Sequence, residues 1–261
     1  MEKIIRNATE NDIAAMQELW IECFPGDVEY SKFFFKRIFR LECARICEIG
    51  GEVAAMLHSF PYDFATPDGI LHAKYIYGVG TAKKYRSRGI AGELLEAEAS
   101  GCDFTVIIPQ SVSLFDFYEK HGFTELFSVS KKIVKPFEKL QTVKAGKGDI
   151  EKLNALYEAM CAETIHPIRT RERWETIMDE FEFLGGGISF FDGGYCVYYE
   201  YDGERGISEL CPGDATSPFG EQCPAITCGA ETALGAARLI SERAEKIFKK
   251  GFLRYLNLMH N

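Results

Sequence analysis

Apolar residues recur along this chain at two periods, and the alternation between them sets the expected elements. The stretch 8–20, "ATENDIAAMQELW", spaces Ile13, Met16 and Leu19 as the first turns of an amphipathic helix. Thr9 and Asp12 have the spacing of a capping box, with Asp in place of the usual Glu. Residues 145–157, "AGKGDIEKLNALY", repeat the pattern. Both copies follow A-x3-D-I-x2-(Met/Leu)-x2-L-aromatic at a constant offset of 137 (145 − 8), and each follows a short strand-like run, "KIIR" or "TVK".

Strand-type patterning comes next in both copies. "ICEIGGEVAAMLHSF" predicts a hairpin turning at Gly50–Gly51, and "ISFFDGGYCVYYEY" predicts another turning at Gly193–Gly194. A second turn follows each, at Asp68–Gly69 and at Asp202–Gly203. The ordered set predicts an internal duplication: two related α/β halves over residues 1–135 and 143–261, with "KPFEKLQT" (Lys135–Thr142) as the linker. After "ISELC" (Ile207–Cys211) the second half runs into "PGDATSPFGEQCPAI", which holds no basic loop opening a helix.

The first half does hold one. "GILHAKYIYGVGT" (Gly69–Thr81) reads as a β-branched and aromatic strand, and "KKYRSRGIAGELLEA" (Lys83–Ala97) follows it directly. Ile90, Leu94, Leu95 and Ala97 mark the apolar stripe of a helix, with Glu93, Glu96 and Glu98 mostly outside it. A strand, a turn with Arg86, Arg88 and Gly89, then a helix N-terminus makes an anion site. First-turn amides lack intrahelical partners, the helix dipole adds positive charge, and glycine lets a ligand approach the backbone. A phosphate or pyrophosphate is the natural guest. "GVGTAKKYRSRG" does not match G-x-G-x-x-G, and the P-loop pattern is absent.

Composition narrows the classes. With 46% apolar and 26% charged residues in 261, the chain is a globular protein long enough for two domains. A net charge of −9 argues against a nucleic-acid partner, which needs dense positive charge, and mildly favours cationic partners such as amines. No apolar run suits a signal peptide or a membrane span, so a cytoplasmic protein without membrane contact is expected. Nine cysteines, none in a CxxC pair or at zinc-ligand spacing, read as reduced thiols with no metal site.

"RSRGIA" (Arg86–Ala91) matches Q/R-x-x-G-x-G/A, with "VGT" upstream and "SLFDFYEKHGF" (Ser113–Phe123) downstream after another strand, "DFTVIIP". In this order the motifs resemble the acyl-CoA-binding half of the GNAT N-acetyltransferase superfamily, over about residues 1–135. The resemblance implies an α/β fold with a mixed sheet and acetyl-CoA as co-substrate. It implies that the backbone around Val79, Gly80 and Thr81 hydrogen-bonds the pantetheine arm, and that Arg86, Ser87, Arg88, Gly89, Ile90 and Ala91 cradle the pyrophosphate. Tyr118 would protonate or hydrogen-bond the leaving thiolate. Ser111 departs from the asparagine often found seven residues before that tyrosine, which puts one pantetheine contact in doubt.

The acceptor side is less legible. The family often uses a Glu on the strand leading into "VGT", but here that strand offers His72 and Lys74 on one face and Tyr75 and Tyr77 on the other. No base is named. The whole-chain plan resembles enhanced-intracellular-survival type acetyltransferases, with a second GNAT-like half lacking the cofactor loop and without the sterol-carrier-like domain. In that group the terminal carboxylate reaches the active site, which would give Asn261 a role. Tyr195, Tyr198, Tyr199 and Tyr201 read as sheet packing or as a cage for a cationic amine, and Glu158, Glu163 and His166 as a solvated helix end or a pocket rim. Two functions follow: an acetyl-CoA-dependent N-acetyltransferase acting on a small-molecule or peptide amine, or a non-catalytic acyl-CoA sensor. Homo-oligomerisation stays open.

Overall fold

The computed structural model describes residues 2–135, 142–201, 203–212 and 222–258. The chain runs through β1 (Lys3–Asn7), α1 (Ile13–Cys23), α2 (Val28–Arg37), β2 (Ala44–Ile49), β3 (Glu52–Thr66), β4 (Gly69–Thr81), α3 (Ile90–Glu98), β5 (Phe104–Ile107) and α4 (Val112–Glu119). It continues through β6 (Glu125–Val134), β7 (Val143–Lys144), α5 (Ile150–Cys161), β8 (Thr164–Pro167), α6 (Arg171–Phe183), β9 (Gly187–Phe191) and β10 (Gly194–Tyr201). β11 (Glu204–Cys211), β12 (Cys223–Leu239), α7 (Glu242–Phe248) and β13 (Leu253–Arg254) complete it. The fold is mixed α/β, and it divides into two units.

The first unit takes in Met1–Asp63, Leu71–Glu125 and Ala236–Lys249. Gly50 and Gly51 take φ of 61° and 85°, the left-handed backbone that a two-residue hairpin turn requires, and they join β2 to β3. β1 and β2 pair antiparallel, as do β2 and β3, and β4 lies beside β3. β4 and β5 run parallel, so a crossover is needed, and α3 supplies it. On the far side of β5 comes the last part of β12, Ala236–Leu239, running antiparallel to it. Helices bury the predicted stripes: Met16, Leu19 and Trp20 in α1, and Ile90, Leu94 and Leu95 in α3. Glu98 departs from the sequence reading. It is 4% exposed and paired with Arg45 and Lys74, so two cations offset its desolvation.

The second unit takes in Phe64–Ile70, Leu126–Gly235 and Lys250–Asn261. β7, β9, β10 and β11 form an antiparallel run, β11 meets β12 in parallel at Ile207–Ala225, and β6 pairs with β12. β8 pairs with the end of β3 and with β13. Leu153, Tyr157, Trp174, Phe181, Tyr195 and Tyr255 fill the core. The hairpin turn sits one residue earlier than the sequence reading places it, at Asp192–Gly193, because Gly194 already pairs with Phe191. Of the turn at Asp202–Gly203, Asp202 lies outside the described residues, as do residues 136–141 of the linker.

The two repeat copies share their local start. Thr9 (φ −119°, ψ 168°) and Gly146 (φ −118°, ψ 177°) each precede a 3-10 turn whose third residue, Asp12 or Asp149, accepts their backbone N–H. A carboxylate reaching back to the residue before the helix satisfies a donor the helix leaves open.

Candidate active site

The basic turn is held in shape by its own side chains. Ser87 takes φ 61° and Gly89 φ 76°, so the backbone bends left-handed twice before α3 begins at Ile90. Left-handed backbone at a non-glycine residue is uncommon and marks a locally constrained loop. Arg86 Nε donates to the Thr81 carbonyl (3.0 Å), and Arg88 Nη2 donates to the Lys84 carbonyl (3.0 Å). The Arg88 guanidinium lies 5.3 Å from the centre of the Tyr85 ring, while Lys84 pairs with Glu52. Residues 86–89 are exposed, Ile90 is buried in the core, and Ala91 is half-buried. A β-carbon on Gly89 would meet nothing within 4 Å, so the space in front of the helix end is open. First-turn amides of a helix have no intrahelical partners, and here the helix end borders that open space.

The strand feeding the turn has an open edge. The β4–β5 ladder ends at Ile76–Ile107, yet β4 continues through Tyr77, Gly78, Val79 and Gly80 to Thr81. Beyond Ile76 the β5 side of β4 faces no strand among the described residues. Gly78 takes φ 58°, and its close neighbours are Trp20 and His58. Gly80 is buried against Cys23, whose Sγ would lie 3.1 Å from a β-carbon there.

Tyr118 sits near the end of α4. Its ring centroid is 5.1 Å from that of Phe117 and 5.8 Å from that of Phe123, and the side chain is buried. Burial pushes its pKa up to about 12, so the phenol is protonated at neutral pH and available as a donor. Gly92 ties this helix end to the first turn of α3: a β-carbon there would collide with the His121 ring, and that ring contacts Phe117 at 4.8 Å. Ser111 stands at the N-cap of α4, with its Oγ 3.0 Å from Ser113 Oγ.

Neither polar residue of the feeding strand is placed as a base. His72 is exposed and pairs with Asp63 (2.7 Å), and Lys74 pairs with Glu98. The histidine that does lie beside Gly78 is His58, which the sequence reading passed over inside the apolar run "AAMLHSF". It is fully buried, and burial lowers its pKa to about 3 against the opposing pull of the Tyr77 main chain. Neither ring nitrogen makes a hydrogen bond of normal geometry among the described residues, and the same holds for Trp20 Nε1. Position alone made it visible; no motif surrounds it.

In the second unit the tyrosines of β10 differ in burial: Tyr198 and Tyr199 are half-buried and Tyr201 is exposed. Tyr195 is fully buried and donates to Glu209 (2.6 Å), while a bulge between Val197 and Tyr198 shifts the later ones outward. His166 is buried on β8, 3.2 Å from half-exposed Glu158. A cavity of about 410 Å³ lies in this unit, lined by Lys131, Ile133, Tyr199, Ile207 and Pro224 among others. Asn261 lies outside the described residues. Among the described residues no group of His, Cys, Asp and Glu is placed to hold a metal ion, and no helix is long and apolar enough to cross a membrane.

Residues 4–126 match the sequence model described as "Acetyltransferase (GNAT) domain". The chain carries a GNAT domain. Solved GNAT structures align along nearly all of it. The GCN5-related N-acetyltransferase of Kribbella flavida gives a TM-score of 0.66 at 14% identity, over 93% of this chain and 73% of that one. The corresponding protein of Anabaena variabilis gives 0.68 at 14%, over 92% and 73%. Eis1 of Mycobacterium abscessus gives 0.64 at 13%, over 92% and 74%. At such identities the structures establish a shared fold, while the match over residues 4–126 supports acyl transfer as the general chemistry. No curated protein sequence matches.

Proposed function

We propose that the protein transfers an acetyl group from acetyl-CoA to a primary amine. The observation that carries this reading is the run from the open edge of β4, Val79–Thr81, straight into the left-handed turn Ser87–Gly89 that opens α3. An extended pantetheine arm fits such an edge as an added strand. A pyrophosphate fits the amides and arginines of Arg86–Ala91, where charge and backbone donors converge.

The chemistry asks little more of the chain. The amine nitrogen, after losing a proton to solvent, attacks the thioester carbonyl carbon. The carbon–sulfur bond breaks, and the departing thiolate takes a proton. Tyr118, protonated and buried, supports that step as donor, and the proton released from the attacking nitrogen balances it through solvent.

Calorimetric titration of acetyl-CoA into the wild type and a Gly89→Glu variant tests the reading. The substitution puts a carboxylate and a strained left-handed residue where the phosphates would lie. Binding in the wild type and loss in the variant support it. A folded wild type that binds no acyl-CoA would overturn it. Binding without turnover on any amine would favour the acyl-CoA sensor instead.

A further inference from the structure

Arg86 and Arg88 stand two residues apart in one exposed turn, yet their side chains are placed differently. The Arg86 guanidinium folds back on the strand. Its Nε donates to the carbonyl of Thr81, the last residue of β4 (3.0 Å), and its Nη2 lies 4.0 Å from Cys23 Sγ. Cys23 ends α1, lies against Gly80, and holds its Sγ 3.6 Å from the same Thr81 oxygen. The planar fork of one guanidinium thus reaches two partners on two elements.

A second side chain from α1 meets the turn. Residues Lys83–Tyr85 form a 3-10 turn whose N-cap, Ala82, has no side chain to accept its first amide. Glu22 Oε1 takes that place, accepting the Lys83 N–H at 2.6 Å. From the other side, the Ala54 carbonyl of β3 accepts the Ala82 N–H (2.9 Å). The junction of strand and turn is therefore pinned from α1 and from β3.

Arg88 takes no part in that junction. Its Nη2 donates to the Lys84 carbonyl (3.0 Å), and its guanidinium lies 5.3 Å from the centre of the Tyr85 ring. Tyr85 is buried and donates its hydroxyl to Glu52 (3.1 Å), so the surface under Arg88 is fixed. The other N–H groups of Arg88 have no partner among the described residues, and Gly89, facing open space, follows directly. A guanidinium held by one edge keeps its remaining donors for a phosphate.

We infer that the two arginines divide the work. Arg88 is the side chain that meets the pyrophosphate, whereas Arg86, together with Glu22, is a positioning residue that fixes the junction of β4 with the turn. The inference rests on the acetyl-CoA reading and narrows it. Losing a phosphate contact weakens only the charged end of the cofactor. Losing a bond at the junction shifts the strand edge, and so weakens the uncharged arm as well.

Cofactor fragments separate the two roles, because pantetheine carries no phosphate and ADP carries no arm. Amide chemical-shift titration of the full chain measures both fragments, and calorimetry measures acetyl-CoA. Arg88→Ala is expected to weaken ADP and acetyl-CoA about tenfold and pantetheine less than about twofold. Arg86→Ala and Glu22→Ala are expected to weaken pantetheine and acetyl-CoA by about three- to tenfold. Glu22→Gln, which keeps an oxygen for the Lys83 amide, is expected to recover most of that loss and to restore slow hydrogen exchange at Lys83. All three side chains are exposed, so the variants keep the core intact. Arg86→Ala weakening ADP but not pantetheine would make Arg86 a phosphate ligand and overturn the inference. Glu22→Ala without effect on pantetheine, or Arg88→Ala without effect on ADP, would overturn it too. Each of these results leaves acetyl-CoA binding by the wild type standing. A folded wild type that binds no acetyl-CoA overturns the acetyltransferase reading, and this inference with it.

Discussion

The Nδ1 atom of His58 lies 3.1 Å from the point where a β-carbon on Gly78 would stand, and Trp20 is closer still at 2.7 Å. Gly78 also takes φ 58°, so position 78 excludes a side chain on two independent grounds. Gly78→Ala is expected to destabilise the first unit by about 1–3 kcal/mol. Urea unfolding followed by Trp20 fluorescence, in a Trp174→Phe background, measures it. The same variant is expected to raise KM for acetyl-CoA, because the displaced strand, β4, is the one whose edge is open beyond Ile76.

His58 itself carries a pH signature. Its pKa is 6.5 when unfolded and about 3 when folded, lowered chiefly by burial. Between those values the unfolded chain binds more protons, so stability rises with pH: the full value is reached above pH 6.5 and is lost as pH falls toward 3. The slope from this one group is at most about 1.4 kcal/mol per pH unit. His58→Phe is expected to remove that slope and to stabilise the protein at pH 7 by about 1 kcal/mol, since an unsatisfied buried group is replaced by a ring of similar shape. Unfolding midpoints at pH 7 and pH 5 separate this from Asp12, which Arg6 holds well below the usual carboxylate range and whose contribution is lost only as pH falls below 3.8.

Local rules made the first half readable. The strand Gly69–Thr81 matches β4 end for end, and the Thr9–Asp12 box forms, because turn chemistry and alternation act within a few residues. The return of Ala236–Lys249 to the first unit is not legible in the same way, since nothing local in β12 announces that its last residues pair with β5. Glu98 misled for a related reason: its helix position is polar, and only Arg45 and Lys74, distant in sequence, make its burial tolerable. At the candidate site the basic turn was visible as a motif, whereas His58 stands out only once its burial beside Gly78 is seen.

In the second unit Arg169 and Glu209 form a two-pronged ion pair (2.6 and 2.7 Å), at 3% and 0% side-chain exposure. Tyr195 and Tyr255 donate to the same carboxylate, and Arg169 Nη2 donates to the Asn257 carbonyl. Glu209→Gln leaves a buried guanidinium without its counter-charge and is expected to cost about 3–5 kcal/mol. Trp174, 4.8 Å from the Arg169 guanidinium, reports the transition in a Trp20→Phe background. A shift under about 1 kcal/mol, the range of exposed pairs, would mean that the pair is hydrated in solution.

Tyr118 separates catalysis from binding. Burial holds its pKa near 12, so it stays a proton donor across any practical assay range, and it contributes no alkaline limb to kcat below pH 10. Tyr118→Phe keeps the ring that packs on Phe117 and Phe123 and removes only the hydroxyl. It is expected to lower kcat by about 10²–10⁴-fold while acetyl-CoA affinity is retained. Single-turnover acetylation with calorimetry on the same preparation checks both halves. Should kcat fall less than about tenfold, the thiolate is leaving unassisted or is protonated by water, and Tyr118 is a packing residue. Should affinity fall with kcat, the hydroxyl holds the cofactor in place instead of serving the leaving group, and the donor role passes to another residue.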